Sequence, residues 1–95
     1  DSTLIKALKI IHSQIRANRS IAEIAEECGM STDGFIRKFK AYIGQTPYEY
    51  SKKLKVRVAL KLRELGNSWE DIAEKCGYAD QTSLLHAINA VKNNR

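Results

Sequence analysis

The sequence contains little of what turns and disulfides require: one Pro, five Gly and two Cys in 95 residues. A sandwich or barrel needs many tight turns, so the scarcity of turn-forming residues predicts an all-α fold. No apolar run approaches the roughly 18 residues of a membrane span, and there is no signal-peptide pattern. The length allows one domain at most, or two very small lobes, and excludes a large α/β enzyme fold.

Chemically reactive arrangements are also missing. The sequence shows no Ser/His/Asp set, no paired carboxylates and no Gly-rich phosphate loop, so we predict that the protein is not an enzyme. Cys28 and Cys76 do not combine with His12 and His86 in a zinc spacing, and we expect no metal or cofactor. We expect a cytoplasmic protein without a disulfide, in which both cysteines are small core residues. Trp69 is interpreted as a packing residue.

Positive charge is concentrated in the middle of the chain. The whole chain carries a net charge of +5, but residues 31–63 hold nine basic and two acidic residues, a net of +7. Such a stretch is typical of a surface that meets nucleic-acid phosphates, because neutralising phosphates releases counterions. A solvated helix face would show the same pattern, so charge alone leaves both interpretations open.

Start and stop signals predict the helices. The first is indicated by an apolar stripe at helical spacing, and the next three by caps at Ser20, Ser31 and Thr46. Their predicted bounds are residues 2–16 (stripe Leu4, Leu8, Ile11, Ile15), 21–28, 32–43 and 47–65.

The fourth helix carries apolar residues on two sides. On one side lie Leu54, Val58, Leu62 and Leu65, and on roughly the opposite side Val56 and Leu60. We therefore predict that this helix is buried on two sides. From residue 47 to residue 65 it would be about 28 Å long.

After the fourth helix the chain repeats itself. Residues 20–29 align with residues 68–77 at a constant offset of 48, with six identities in ten positions. A second helix follows in both copies, with core triplets Phe35/Phe39/Ile43 and Leu84/Ile88/Val91. The predicted architecture is two helix-turn-helix subdomains (residues 1–46 and 66–95) joined by a linker helix (residues 47–65).

Each repeat has a small residue followed four positions later by glycine, as Ala25 and Gly29 and as Ala73 and Gly77. The small residue allows close approach of the second helix, and the glycine makes the turn. This spacing is that of the DNA-binding helix-turn-helix, whose second helix lies in the major groove. Two copies around a basic linker predict sequence-specific binding of double-stranded DNA. The alternative is a helical module that binds a protein partner and has lost DNA reading.

These residues resemble the DNA-binding domain of AraC/XylS-type bacterial transcription regulators over essentially the whole chain. The most specific stretches are Gly-x-Thr-Pro-x-x-Tyr at residues 44–50 and Gly-aromatic-x-Asp-Gln at residues 77–81. The resemblance implies a seven-helix domain of two homeodomain-like bundles, with the third and sixth helices in successive major-groove segments. It also implies RNA polymerase as a partner and an N-terminal effector or dimerisation domain outside this chain. We expect no membrane partner, because no predicted helix combines a basic face with a bulky exposed apolar one.

The second unit departs from that family pattern. Where the family usually has Phe, Arg, Phe and Lys, this chain has Leu84, His86, Ile88 and Asn89. The sequence also ends at Arg95, before the segment that would form the family's last helix. We therefore expect a less well buttressed sixth helix and a smaller contribution of the second unit to binding.

The outward face of the third helix supplies the first set of predicted DNA contacts. Arg37 is the base reader, because its planar fork can donate two bonds to guanine, and Lys40 suits a phosphate. Asp33 accepts from a cytosine amino group or caps its own helix, and we favour the cap. Ile36 contacts a thymine methyl or lies at the core edge. The full set is Thr32, Asp33, Ile36, Arg37 and Lys40.

The sixth helix supplies the second set. Gln81 and Asn89 can pair bidentately with adenine, and His86 can donate to guanine or a phosphate. Leu85 is equivalent to Ile36. The full set is Gln81, Thr82, Leu85, His86 and Asn89.

The linker helix adds four basic residues to the prediction. They either contact the DNA backbone between the two grooves or form a solvated face. They are Lys52, Lys53, Lys55 and Arg57.

Overall fold

The computed structural model describes residues 2–13 and 19–93, which form six α-helices. The predicted all-α class is therefore confirmed for the described residues. No helix among them is long and apolar enough to cross a membrane. The helices are α1 (Ser2–Ser13), α2 (Ile21–Glu27), α3 (Thr32–Ile43), α4 (Pro47–Glu64), α5 (Trp69–Lys75) and α6 (Gln81–Asn93).

Side-chain caps begin the helices where the sequence predicts them. Ser20 accepts from the backbone N–H of Glu23 at 3.1 Å, and the Glu23 carboxylate reaches back to the Ser20 N–H. Thr46 and Glu49 form the same reciprocal pair at the start of α4, with Pro47 in the first turn. Each cap satisfies backbone donors that a helix start would otherwise leave without partners.

The predicted end of the first helix lies partly outside the described residues. Its stripe is confirmed as far as Ile11, which is buried with Leu4, while Leu8 packs against the same core. Ile15 and Arg16 belong to residues 14–18, which the structure does not describe.

The buried residues form two hydrophobic clusters. The first joins α1, α2 and α3 around two fully buried phenylalanines; its members are Leu4, Ala7, Ile11, Ile24, Ala25, Phe35 and Phe39. The second joins α4, α5 and α6; its members are Val56, Ala59, Ile72, Ala73, Cys76, Leu84 and Ile88. Each helix-turn-helix therefore packs on its own core.

The linker α4 contacts both clusters, but not by the two predicted sides, because Val56 and Leu60 pack on the same second cluster as Val58 and Leu62. Tyr50 and Leu54 pack on the first cluster, whereas Val58 and Leu62 pack on the second. The start of the helix is thus buried in the first cluster and its later turns in the second. The predicted face that joined Leu54 to Val58 and Leu62 therefore does not pack on a single core. Placing Leu65 on that face was also wrong, since it is 69% exposed. Leu65 is the C-cap, one residue after the last residue of α4.

Both cysteines are reduced and pack inside. Cys76 is fully buried in the second cluster, and Cys28 is partly buried on the first. Desolvation raises the pKa of both thiols, so neither is activated as a thiolate. Trp69 packs on the second cluster as predicted, with the Arg63 guanidinium 4.7 Å from its ring centroid.

Candidate nucleic-acid interface

The two helix-turn-helix turns have the same backbone hydrogen bonds. The N–H of Met30 donates to the carbonyl of Ala25 at 3.0 Å, and the N–H of Tyr78 donates to that of Ala73 at 2.8 Å. The two pairs are 48 residues apart, the offset of the sequence repeat. The repeat is therefore structural, and it sets the direction in which each second helix leaves its turn.

Glycine is required at both turns. Gly29 has a φ of 70° and Gly77 a φ of 78°, in the left-handed region that other residues adopt only at a cost. Ala25 and Ala73, four positions earlier, are buried against the second helix of their units. The predicted roles of the small residue and the glycine are confirmed.

The buried residues of α3 determine which side of this helix faces outward. Phe35 and Phe39 are fully buried, so the remaining sides of the helix face away from the first cluster. Arg37 and Lys40 are exposed, and Ile36 is half-buried beside Asp33 and Arg37 in a shallow surface groove. Four of the five predicted contact residues are thus exposed, Thr32 among them, and Ile36 lies at the margin where the helical projection places it.

The outward face of α6 follows the same rule. Leu84 and Ile88 are buried in the second cluster, whereas Leu85 is half-buried. The other predicted contact residues are exposed: Gln81, Thr82, His86 and Asn89. This face carries no lysine or arginine among them, in contrast to α3.

The residues that cap the second helices differ between the two units, and one of them corrects a prediction. The cap of α3 is Ser31, whose Oγ accepts from the Gly34 N–H at 3.2 Å; the favoured capping role of Asp33 is wrong. Asp33 lies inside the first turn, where its carboxylate favourably faces the positive end of the helix dipole. In α6 the equivalent cap is Asp80, whose Oδ1 accepts from the Ser83 N–H at 2.8 Å.

The Asp80 cap was missed from the sequence, although an acidic residue just before a helix is itself a start signal. Hydrogen bonds from Ser83 hold its pKa below the usual range, and the nearby His86 contributes to the same shift. The carboxylate is exposed beside Gln81, and Glu70 and Glu74 line the same groove. The start of α6 is therefore more acidic than the start of α3.

The four linker cations do not share one surface. Lys53 and Arg57 are exposed, whereas Lys52 and Lys55 are half-buried. The Lys55 ammonium lies 5.6 Å from the ring centroid of Tyr78, and burial lowers the pKa of this lysine.

No group of three His, Cys, Asp or Glu side chains suited to a metal ion occurs within residues 2–13 and 19–93. The geometry instead defines a protein with two helix-turn-helix units, each presenting the exposed face of its second helix. That class binds double-stranded DNA through the major groove.

Comparison with known proteins identifies the family. A family model described as a helix-turn-helix domain matches residues 24–94. The fold is similar to the crystal structure of an AraC-type transcriptional regulator from Chromobacterium violaceum, with a TM-score of 0.84 and 25% identity, over 97% of this chain and 83% of that one. The chain belongs to the AraC-type helix-turn-helix family of DNA-binding domains.

Two curated relatives agree with this assignment. The regulator AlkR of Acinetobacter baylyi is 28% identical over 86 residues, which are 90% of this chain and 28% of AlkR. A Streptomyces lividans protein, described as an AraC-like transcription regulator, is 28% identical over 92 residues, 96% of this chain and 30% of that protein. The chain thus spans less than a third of the length of these two curated relatives.

Proposed function

We propose that this domain binds DNA sequence-specifically by placing α3 and α6 in successive major-groove segments, as the DNA-binding part of a bacterial transcription regulator. One observation carries the proposal: exposure is matched at equivalent positions of the two helices, 49 residues apart. The matched pairs are Asp33/Thr82, Arg37/His86 and Lys40/Asn89, all exposed, and Ile36/Leu85, both half-buried.

The chemistry of these faces suggests a role for each residue. Arg37 can donate two hydrogen bonds to guanine O6 and N7, and Lys40 carries a charge suited to a phosphate. On α6, Gln81 and Asn89 offer the amide pattern that pairs with adenine, and His86 can donate to guanine or phosphate. Since Asp33 is not the cap, its free carboxylate is available to a cytosine amino group.

The half-buried residues at the margins of the two exposed faces are suited to apolar contacts with bases. Ile36 and Leu85 are half-buried, so each has an exposed edge that fits a thymine methyl while the rest supports the core. Thr32 and Thr82 lie in the first turns of their helices and offer hydroxyl donors to nearby phosphates.

The two units contribute unequally. The α3 face carries two cationic groups and the α6 face only the His86 imidazole, next to the acidic cap Asp80. Because phosphate neutralisation supplies much of the affinity, the first unit dominates binding and the second refines it.

The remaining parts of the proposal concern the whole protein. In the relatives, the matched region is less than a third of the chain. We place this domain in a cytoplasmic regulator that has an effector or dimerisation domain outside this chain and that acts on RNA polymerase.

The test is selection of duplexes from a random 30-base-pair library on the purified domain, at 50 mM and again at 150 mM salt. We expect enrichment of one motif with two short elements spaced by about one helical turn. Failure to retain any duplex at 50 mM salt would overturn the proposal and favour a domain that binds a protein partner instead.

A further inference from the structure

The cations of the linker helix α4 lie on two different sides. Lys53 and Arg57 are four residues apart and therefore share one side, and Lys52 and Lys55, three apart, share another. At 3.6 residues per turn, the centres of the two pairs are roughly 150° apart around the helix axis. A DNA strand that passes one side of α4 therefore lies nearer to one pair than to the other.

The ammonium groups of Lys52 and Lys55 are engaged with aromatic rings. The Nζ of Lys52 lies 5.1 Å from the ring centroid of Tyr48, and that of Lys55 lies 5.6 Å from the centroid of Tyr78. Tyr48, Lys52 and Lys55 line a cleft of about 260 Å³ against α2 and the end of α1, with Ile11 on its wall. Both lysines are half-buried, and their side of α4 faces this cleft between α4, α2 and α1.

The start of α4, around Glu49 and Lys53, is linked to the ends of both recognition helices. The Thr46 hydrogen bonds lower the pKa of Glu49, and the nearby charges of Lys40 and Lys53 lower it further. The charge of Lys40, in the last turn of α3, thus acts on the start of α4. A small groove lined by Glu49, Lys52, Lys53, Ala90 and Val91 joins the same part of α4 to the end of α6. Lys52 lines this groove too, but its Nζ lies 5.1 Å from the ring centroid of Tyr48.

We infer that Lys53 and Arg57 hold the DNA backbone between the two major-groove segments, and that Lys52 and Lys55 do not contact DNA. The inference rests on the proposed function, because it takes α3 and α6 as the helices that enter the grooves. A strand that runs from one groove to the next must pass the strip between these helices. Lys53 and Arg57 are exposed linker cations on that side; Lys61, one turn after Arg57, is also exposed but pairs with Glu64 at 3.5 Å.

Glu49 limits where on this strip a phosphate can lie. Its carboxylate accepts from the Thr46 N–H at 2.9 Å, is exposed, and stays ionised because its pKa is lowered. A phosphate is repelled from this first turn and is directed toward Lys53 and Arg57 in the turns that follow. Replacement of Glu49 by Gln keeps an acceptor for the cap and removes the charge.

The experiment measures the binding constant of a selected duplex against salt concentration by fluorescence anisotropy. Lys53→Gln and Arg57→Gln are each expected to reduce the slope of log K against log salt by about 0.9, with five- to tenfold weaker binding near 0.1 M salt. The neighbouring controls Lys52→Gln and Lys55→Gln are expected to keep the wild-type slope. Glu49→Gln is expected to strengthen binding. Thermal unfolding by circular dichroism verifies that each variant is folded.

The outcomes separate this inference from the proposed function. If the wild-type domain binds no duplex, the proposed function fails and the inference fails with it. If the wild type binds and Arg37→Ala weakens binding, but Lys52→Gln or Lys55→Gln lowers the slope as much as Lys53→Gln, only the inference is overturned. An unchanged slope in the Lys53→Gln and Arg57→Gln variants would overturn it equally.

Discussion

The imidazole Nε2 of His12 and the hydroxyl of Tyr50 lie 2.6 Å apart, in hydrogen-bond contact across 38 residues of sequence. Tyr50 also meets the ring of Phe39 edge-on, with centroids 5.7 Å apart. One side chain in the first turns of α4 thus contacts both α1 and α3. This fixes the linker to the first unit and so sets where its cations lie relative to α3.

Replacing Tyr50 by Phe should separate the two contacts of this residue. The ring contact with Phe39 remains and the hydrogen bond to His12 is lost, so we expect a free energy of unfolding lower by about 0.5–1.5 kcal/mol. Tyr50→Ala should cost clearly more, because the packing is also removed. Urea titration of the three proteins measures both differences. Equal stability of wild type and Tyr50→Phe would show that the hydrogen bond contributes nothing.

The turn of the first unit should depend on the backbone conformation of Gly29. A Cβ at this position would meet no atom within 4 Å, so the cost of Gly29→Ala is conformational. With φ at 70°, we expect a loss of about 1–2 kcal/mol, and a smaller loss for Gly29→Asn, since Asn tolerates this region. Thermal or urea unfolding gives both values. If Gly29→Ala and Gly29→Asn lowered the free energy of unfolding equally, the assigned backbone strain would be contradicted.

The Asp80 cap should make stability depend on pH. Its pKa in the folded protein is below the unfolded value of about 3.9. The ionised carboxylate therefore stabilises the fold above about pH 4, and this contribution is lost as the pH falls through the folded pKa. Asp80→Asn keeps a capping acceptor and removes the titration. The stability difference between wild type and variant, measured from pH 6 to pH 2.5, should shrink on acidification; a constant difference would refute the linkage.

The structural features that could be predicted from the sequence are those determined by residues close to one another in the chain. Ser20 and Thr46 cap their helices because the groups they satisfy are three positions away, within reach of any chain that begins a helix there. The turn at Gly29 and its copy at Gly77 follow from the same kind of local requirement. The outward faces of α3 and α6 follow from helical periodicity once their buried residues are known.

What could not be predicted depends on how the helices pack together. Lys53 and Lys55 are chemically equal in the sequence, and the position of Tyr78, in the turn of the second unit, distinguishes them. The exposure of Leu65 likewise follows from where α4 ends relative to the second core. The Asp33 error is local: Ser31 and Asp33 are both good caps, and the backbone of Ser31 takes the extended conformation that a cap requires.

The central claim is that the first unit dominates DNA recognition through the exposed face of α3. Its most direct test is the affinity of Arg37→Ala and His86→Ala for a selected duplex, measured side by side at 150 mM salt with the wild type. Loss of a bidentate base contact is expected to weaken binding by Arg37→Ala roughly 5- to 150-fold. His86→Ala should weaken it clearly less. An equal or larger loss for His86→Ala would contradict the claim.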